Sequence, residues 1–95
     1  MAERTERETP TKNIQVLISY YKHGHRVFDD VQMVRIVSKD YTLLVMNDYM
    51  PSVGLVEGSV DIIQNENIQT LKNIHAYYLN RKNVFTLLVD SQKEE

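Results

Sequence analysis

The sequence predicts an all-β protein, a small antiparallel β-sandwich or barrel of about seven to eight short strands. Apolar and β-branched residues alternate with polar ones in several short runs, and turn residues separate these runs at intervals of roughly 8–12 residues. The chain of 95 residues is long enough for one domain, and its 42% hydrophobic and 25% charged residues are typical of a folded globular protein.

We divide the chain into a disordered tail at residues 1–13, a single β-sandwich domain at residues 14–90 and a disordered acidic tail at residues 91–95. The first segment has no apolar residue after Ala2 that a core would bury. The absence of cysteine excludes a disulfide framework and suits a cytoplasmic protein. No apolar run reaches the roughly 20 residues of a membrane span, so no membrane insertion is expected.

The first strand is predicted at residues 14–21, and a turn containing Gly24 follows it. Alternate positions of this strand form one strongly apolar face, which consists of Ile14, Val16, Ile18 and Tyr20. Gly24 suits the turn because glycine takes positive φ without a steric cost.

The clearest element is a hairpin at residues 31–46, in which two apolar runs flank the polar break Ser38-Lys39-Asp40. Both runs are apolar on both faces, which indicates strands that are sheltered at least in part on both sides. Residues 47–58 are predicted as a loop because Pro51, Gly54 and Gly58 interrupt them.

The last third of the chain permits two interpretations. A short strand is predicted at residues 59–63, and Ile68, Leu71, Ile74 and Tyr78 then follow at helical spacing. The polar break at residues 80–83 instead favours a hairpin that joins residues 74–79 to residues 84–89. We therefore predict strands here and allow one short helical turn near Asn67.

The order of these features over residues 14–90 resembles the N-terminal β-sandwich domain of the epsilon subunit of F-type ATP synthases. The matching features are the glycine turn at Gly24, the aromatic Phe28, the turn at Lys39-Asp40, Met50-Pro51, the strand led by Gly58, and the closing pattern of Tyr78, Asn83 and Val84–Asp90. The resemblance implies a sandwich that assembles with other proteins.

The sequence departs from that family at its most specific loop, Gly-x-Leu-Pro-x-His. The corresponding positions hold Leu44, Met46, Asn47 and Tyr49, and the printed sequence has no counterpart of the family's C-terminal helical pair. The resemblance therefore implies the fold more than the role.

Few residues suggest chemistry, and we expect neither an enzyme nor a cofactor. His23-Gly24-His25 is the one pattern that suggests a ligand set, with Asp29, Asp30 and His75 as further candidates. A glycine turn between two histidines spoils the alternation that would aim both imidazoles at one zinc ion, so no metal site is expected. The serines lie in no nucleophile motif, and no glycine-rich phosphate loop is present.

The residues that favour a binding function are aromatic and apolar. The 6 tyrosines are too many for the core of a small sandwich, and partly exposed tyrosines are common at protein interfaces. We therefore predict a non-enzymatic module that binds another protein or itself through Tyr49, Met50, Pro51, Val53, Leu55 and Tyr77.

The alternative is a small ligand or single-stranded nucleic acid bound by Tyr77, Arg81 and Lys82, because exposed aromatic and basic side chains on a sheet can stack bases. The net charge of −2 disfavours nucleic acid as the partner.

Overall fold

A computed structural model describes residues 13–21 and 24–93, and these form seven strands and no helix. The strands are β1 (Ile14–Tyr20), β2 (Gly24–Val31), β3 (Met33–Ser38), β4 (Thr42–Val45), β5 (Ser52–Gln64), β6 (Asn67–Arg81) and β7 (Val84–Gln92). The all-β prediction is confirmed. Residues 1–12 of the tail predicted at residues 1–13, residues 94–95 of the predicted acidic tail and the candidate ligand His23 lie outside the described residues.

All seven strands belong to one mixed sheet in the order β2-β1-β7-β6-β5-β3-β4. Neighbouring strands are antiparallel except β1 and β7, which run parallel, so the prediction of a purely antiparallel sheet is wrong at this pair. The parallel pair arises because β1 lies between β2 and the last strand of the chain.

The described strands form one sheet with no helix, yet one face of that sheet is buried, so we infer that the sheet folds over itself into two layers at its two longest strands. The pairing of β5 with β6 shifts register between Gly58 and Val60, and Asn73 on β6 has a positive φ of 57° at the same level. Bulges of this kind let one strand pass from one layer to the other. The first layer contains β2, β1 and β7 with the adjoining halves of β6 and β5, and the second contains the remaining halves with β3 and β4.

The inner faces of the two layers share one hydrophobic core. Its fully buried side chains come from all seven strands and include Ile14, Ile18, Val31, Val34, Ile36, Val45, Val60, Ile62, Ala76, Phe85 and Leu87. The ring of Tyr78 stacks on Phe85 with centroids 5.6 Å apart. Of the two adjacent tyrosines, Tyr78 is buried and Tyr77 points outward.

The bulge also explains why the helical turn predicted near Asn67 is wrong. Asn67 begins β6, and Leu71 and Ile74 both face the core. Core-facing residues of a strand are normally two positions apart. The bulge at Asn73 inserts one extra residue, so these two are three positions apart, which is also the spacing along one face of a helix.

Two further boundaries differ from the prediction. Residues 52–58 are part of β5 and not of a loop, because Gly54 and Gly58 lie in close-packed strand positions instead of turns. The strand β7 runs to Gln92, two residues beyond the boundary that we predicted after Asp90. The last hairpin turns through Lys82 and Asn83, which have positive φ values of 51° and 62°.

A polar row crosses the outer face of the second layer and anchors β3 to β5 and β6. The Nε and Nη2 atoms of Arg35 donate to Asp61 Oδ2 at 2.8 and 2.6 Å, and Thr70 Oγ1 donates to Asp61 Oδ1 at 2.8 Å. Only 7% of Asp61 is exposed. These bonds supply the partners that a buried carboxylate requires.

We expect Arg35→Ala to lower the free energy of unfolding by about 1.5 kcal/mol, because Asp61 would lose both charged hydrogen bonds. Urea denaturation measures this loss. Lys39→Ala is the matched control, since Lys39 lies 3.7 Å from Glu57 in an exposed pair that contributes less than about 0.5 kcal/mol. Equal losses in the two variants would contradict a structural role for the row.

Candidate protein-interaction surface

The outer face of the first layer carries a continuous apolar surface that spans five strands. Two rows of cross-strand neighbours build it: Val27, Leu17, Thr86, Leu79 and Val53 form one row, and Ser19, Leu88, Tyr77 and Leu55 form the other. We call the seven apolar members of these rows the apolar platform: Leu17, Val27, Val53, Leu55, Tyr77, Leu79 and Leu88.

The platform is a consequence of strand alternation. On β7 the buried Phe85, Leu87 and Val89 face the core, so Thr86 and Leu88 must point outward. On β5 Val53 is the most exposed member, with 73% of its surface accessible. Exposed apolar residues scattered singly are normal, whereas neighbouring ones on one face make that face a candidate binding surface.

The rims of the platform are polar. At one end His75 Nδ1 lies 3.4 Å from Asp90 Oδ2, and His75 Nε2 lies 3.8 Å from Glu57 Oε2. The imidazole also meets the ring of Tyr77 edge to face, with centroids 5.7 Å apart. At the other end β6 closes with Arg81. A polar rim around an apolar centre is the usual composition of a protein interface.

At the β5 side of the platform, two backbone carbonyl groups of β5 accept hydrogen bonds from the turn between β3 and β4. The hydroxyl of Tyr41 donates to the Leu55 carbonyl at 2.5 Å, and the amide of Lys39 donates to the Glu57 carbonyl at 3.0 Å. Burial, and secondly the nearby Tyr78, raise the pKa of the Tyr41 hydroxyl above the ordinary tyrosine value. The group therefore stays protonated at neutral pH and remains a donor.

The structure brings together three of the six residues predicted for an interface. Val53, Leu55 and Tyr77 are members of the platform. Met50 and Pro51 are exposed in the segment before β5, and Tyr49 packs partly buried against the core. The sequence analysis missed Leu17, Val27, Leu79 and Leu88, although the apolar character of both strand faces was a signal for them.

The residues of the nucleic-acid alternative are arranged less compactly. Tyr77 and Arg81 share the outer face of β6 but have Leu79 between them, and Lys82 lies in the following turn. Among the described residues, no group of three or more histidine, aspartate or glutamate side chains converges as metal ligands would. Residues 13–21 and 24–93 contain no helix long and apolar enough to cross a membrane.

The fold and the platform define a class: a β-sandwich with one apolar sheet face at its surface. No protein-family model and no curated protein sequence matches this chain.

Two solved structures are similar. A chain of the Tetrahymena thermophila mitochondrial ATP synthase, from the central stalk and c-ring, superimposes with a TM-score of 0.67 at 13% identity, over 87% of this chain and 67% of that one. A chain of the Euglena gracilis mitochondrial ATP synthase, from a structure of OSCP, F1 and the c-ring, gives a TM-score of 0.70 at 11% identity, over 92% of this chain and 56% of that one. Identity this low establishes a shared fold and nothing finer.

Proposed function

We propose that this chain is a non-enzymatic protein-protein interaction and assembly module that binds its partner through the apolar platform. The observation that carries the proposal is the continuity of the platform across five strands, since water would otherwise cover this apolar surface at a cost of about 25 cal/mol per Å². The similar solved chains come from ATP synthases, which are assemblies of many subunits, and this supports a role in assembly. We further propose that the chain is related to the epsilon-subunit sandwich and that it acts in the cytoplasm.

We expect Leu79→Glu to abolish partner binding, because it places a charge at the centre of the platform. Purification of the tagged chain from its native cells, followed by mass spectrometry, measures the loss of partner. Leu79 is 50% exposed, so the substitution should change stability by about 0.5 kcal/mol or less. Recovery of ATP synthase subunits with the unaltered chain would support the relationship to the epsilon subunit.

Ile68→Glu is the matched control. Ile68 lies on the same strand and is 60% exposed, but it belongs to the other layer. It should leave partner binding unchanged. If Leu79→Glu retained the same partners as the unaltered chain, the proposal would be wrong.

A further inference from the structure

We propose that the partner on the apolar platform is a second copy of this chain, and that Arg81 of each copy enters a groove beside Tyr77 of the other. The inference rests on the proposed function, because it names the occupant of the same surface. Two features of the described residues carry it: a groove suited to a guanidinium, and opposite charges at the two ends of the platform. Irregular or short edge strands add support.

The groove lies at the Tyr77 end of the platform and has a volume of about 250 Å³. Tyr21 and Tyr77 line it together with Leu88, and Asp90 contributes a carboxylate. Tyr21 is 78% exposed and Tyr77 50%, so both rings are accessible to a partner. Tyrosine faces beside a carboxylate bind a guanidinium by stacking and by a charged hydrogen bond.

The charged side chains lie at opposite ends of the platform, along the second half of β6. The outward side chains of this half are, in order, His75, Tyr77, Leu79 and Arg81. Two carboxylates, those of Asp90 and Glu57, flank His75. Glu57 lies 3.7 Å from Lys39 and does not line the groove, whereas Asp90 lines the groove and lies 3.4 Å from His75.

This arrangement is complementary to itself under two-fold symmetry. Consider two copies whose platforms face each other and are related by a two-fold axis that lies between them, perpendicular to the strands. This rotation reverses the direction of every strand but leaves the order of the strands unchanged. The row of Tyr77 then faces the row of Leu79 in the other copy, and Arg81 faces the end that carries Asp90. Each contact occurs twice, as in every isologous interface.

The size of the platform predicts a weak dimer. His75 and Arg81 lie about 20 Å apart along an extended strand, and five strands span about 20 Å. Such a footprint is about 400 Å² per copy, below that of a standard specific interface, so we expect a weak dimer with a dissociation constant of about 100 micromolar. The net charge of −2 is too small for repulsion between copies to oppose the contact.

The edges of the sheet are only partly open to pairing with a second copy. The edge strand β2 has a register shift opposite Ile14 and Val16 and a positive φ of 55° at Asp30, although residues 24–28 pair regularly with β1. The other edge strand, β4, has only 4 residues. Bulges and short strands limit strand addition, so these features restrict self-association through the edges.

Charge reversal with sedimentation equilibrium tests the inference. We expect Arg81→Glu and Asp90→Arg each to weaken dimerisation at least tenfold, because each places like charges at both contacts. An equimolar mixture of the two variants should dimerise like the unaltered chain, since every contact in the mixed dimer again joins opposite charges. Lys82→Glu makes the same change of charge next to Arg81, and it should alter the dissociation constant less than twofold.

Two results would overturn the inference. One is a chain that stays monomeric up to about 1 mM, well above the expected dissociation constant. The other is a mixture that dimerises no better than either variant alone. If the chain were monomeric but Leu79→Glu still abolished the binding of another protein, the self-association would be wrong and the proposed function would stand. If Leu79→Glu had no effect on any partner, both would fail.

Discussion

Gly58→Ala is expected to lower the free energy of unfolding by about 3 kcal/mol, because the added methyl group has no room at the bend of β5. A Cβ atom at Gly58 would overlap the Val37 carbonyl oxygen and lie 3.2 Å from the Ser38 Cα. Both obstacles are backbone atoms of the neighbouring strand, which no change of rotamer can remove. The strand pair β3–β5 would have to separate. Urea denaturation measures the loss.

Gly54→Ala is the comparison that isolates this cause. A Cβ atom there would meet the ring of Tyr78, whose Cε2 would be 2.6 Å away. A side-chain ring can shift within the core, whereas a paired backbone cannot, so we expect a smaller loss of about 1–2 kcal/mol. A loss at Gly54 as large as that at Gly58 would contradict the backbone explanation.

Phe85→Ala is expected to cost about 3–5 kcal/mol, the largest loss from any single core truncation in this chain. Phe85 is fully buried and stacks on Tyr78 at 5.6 Å, so the substitution leaves a cavity and removes a ring contact. A domain of this size is stable by about 5–10 kcal/mol, and the variant should therefore be partly unfolded at 37 °C. Thermal denaturation followed by circular dichroism measures the shift.

Leu88→Ala is the control for Phe85→Ala because Leu88 lies on the same strand with 51% of its surface exposed. We expect a loss below about 1 kcal/mol. Comparable losses at the two positions would mean that Leu88 is as buried as Phe85, which would contradict the assignment of the platform to the surface.

Much of the fold could be predicted from the sequence because strand alternation is local. The hairpin at residues 31–46 pairs Val34 with Val45 and Ile36 with Leu43, and the predicted turn at Ser38-Lys39-Asp40 joins the two strands. The buried face of the first strand is also confirmed at Ile14, Val16 and Ile18. These features depend only on near neighbours in the chain.

The predictions that failed depend on contacts between distant residues. Gly54 and Gly58 are typical of a loop when only their neighbours in sequence are considered. In the folded chain the first makes room for Tyr78 and the second for the backbone of Val37. The spacing of apolar residues around Asn73 likewise resembled that of a helix. It results from the bulge at Asn73, where β6 passes from one layer to the other.

The candidate surface could likewise be predicted from the sequence only in part. The sequence identified Val53 and Leu55 as members of an unusually apolar predicted loop, and Tyr77 as one of more tyrosines than a small core can bury. Leu17, Val27 and Leu88 join them only through strand order, which places residues from opposite ends of the chain side by side.

By itself the sequence determined an all-β chain, its central hairpin and an excess of exposed aromatic and apolar residues, because composition and alternation are properties of short segments. Only the tertiary structure decided which of those residues form one surface. Strand order and register are set by cooperative packing of the whole core, and no single segment contains that information.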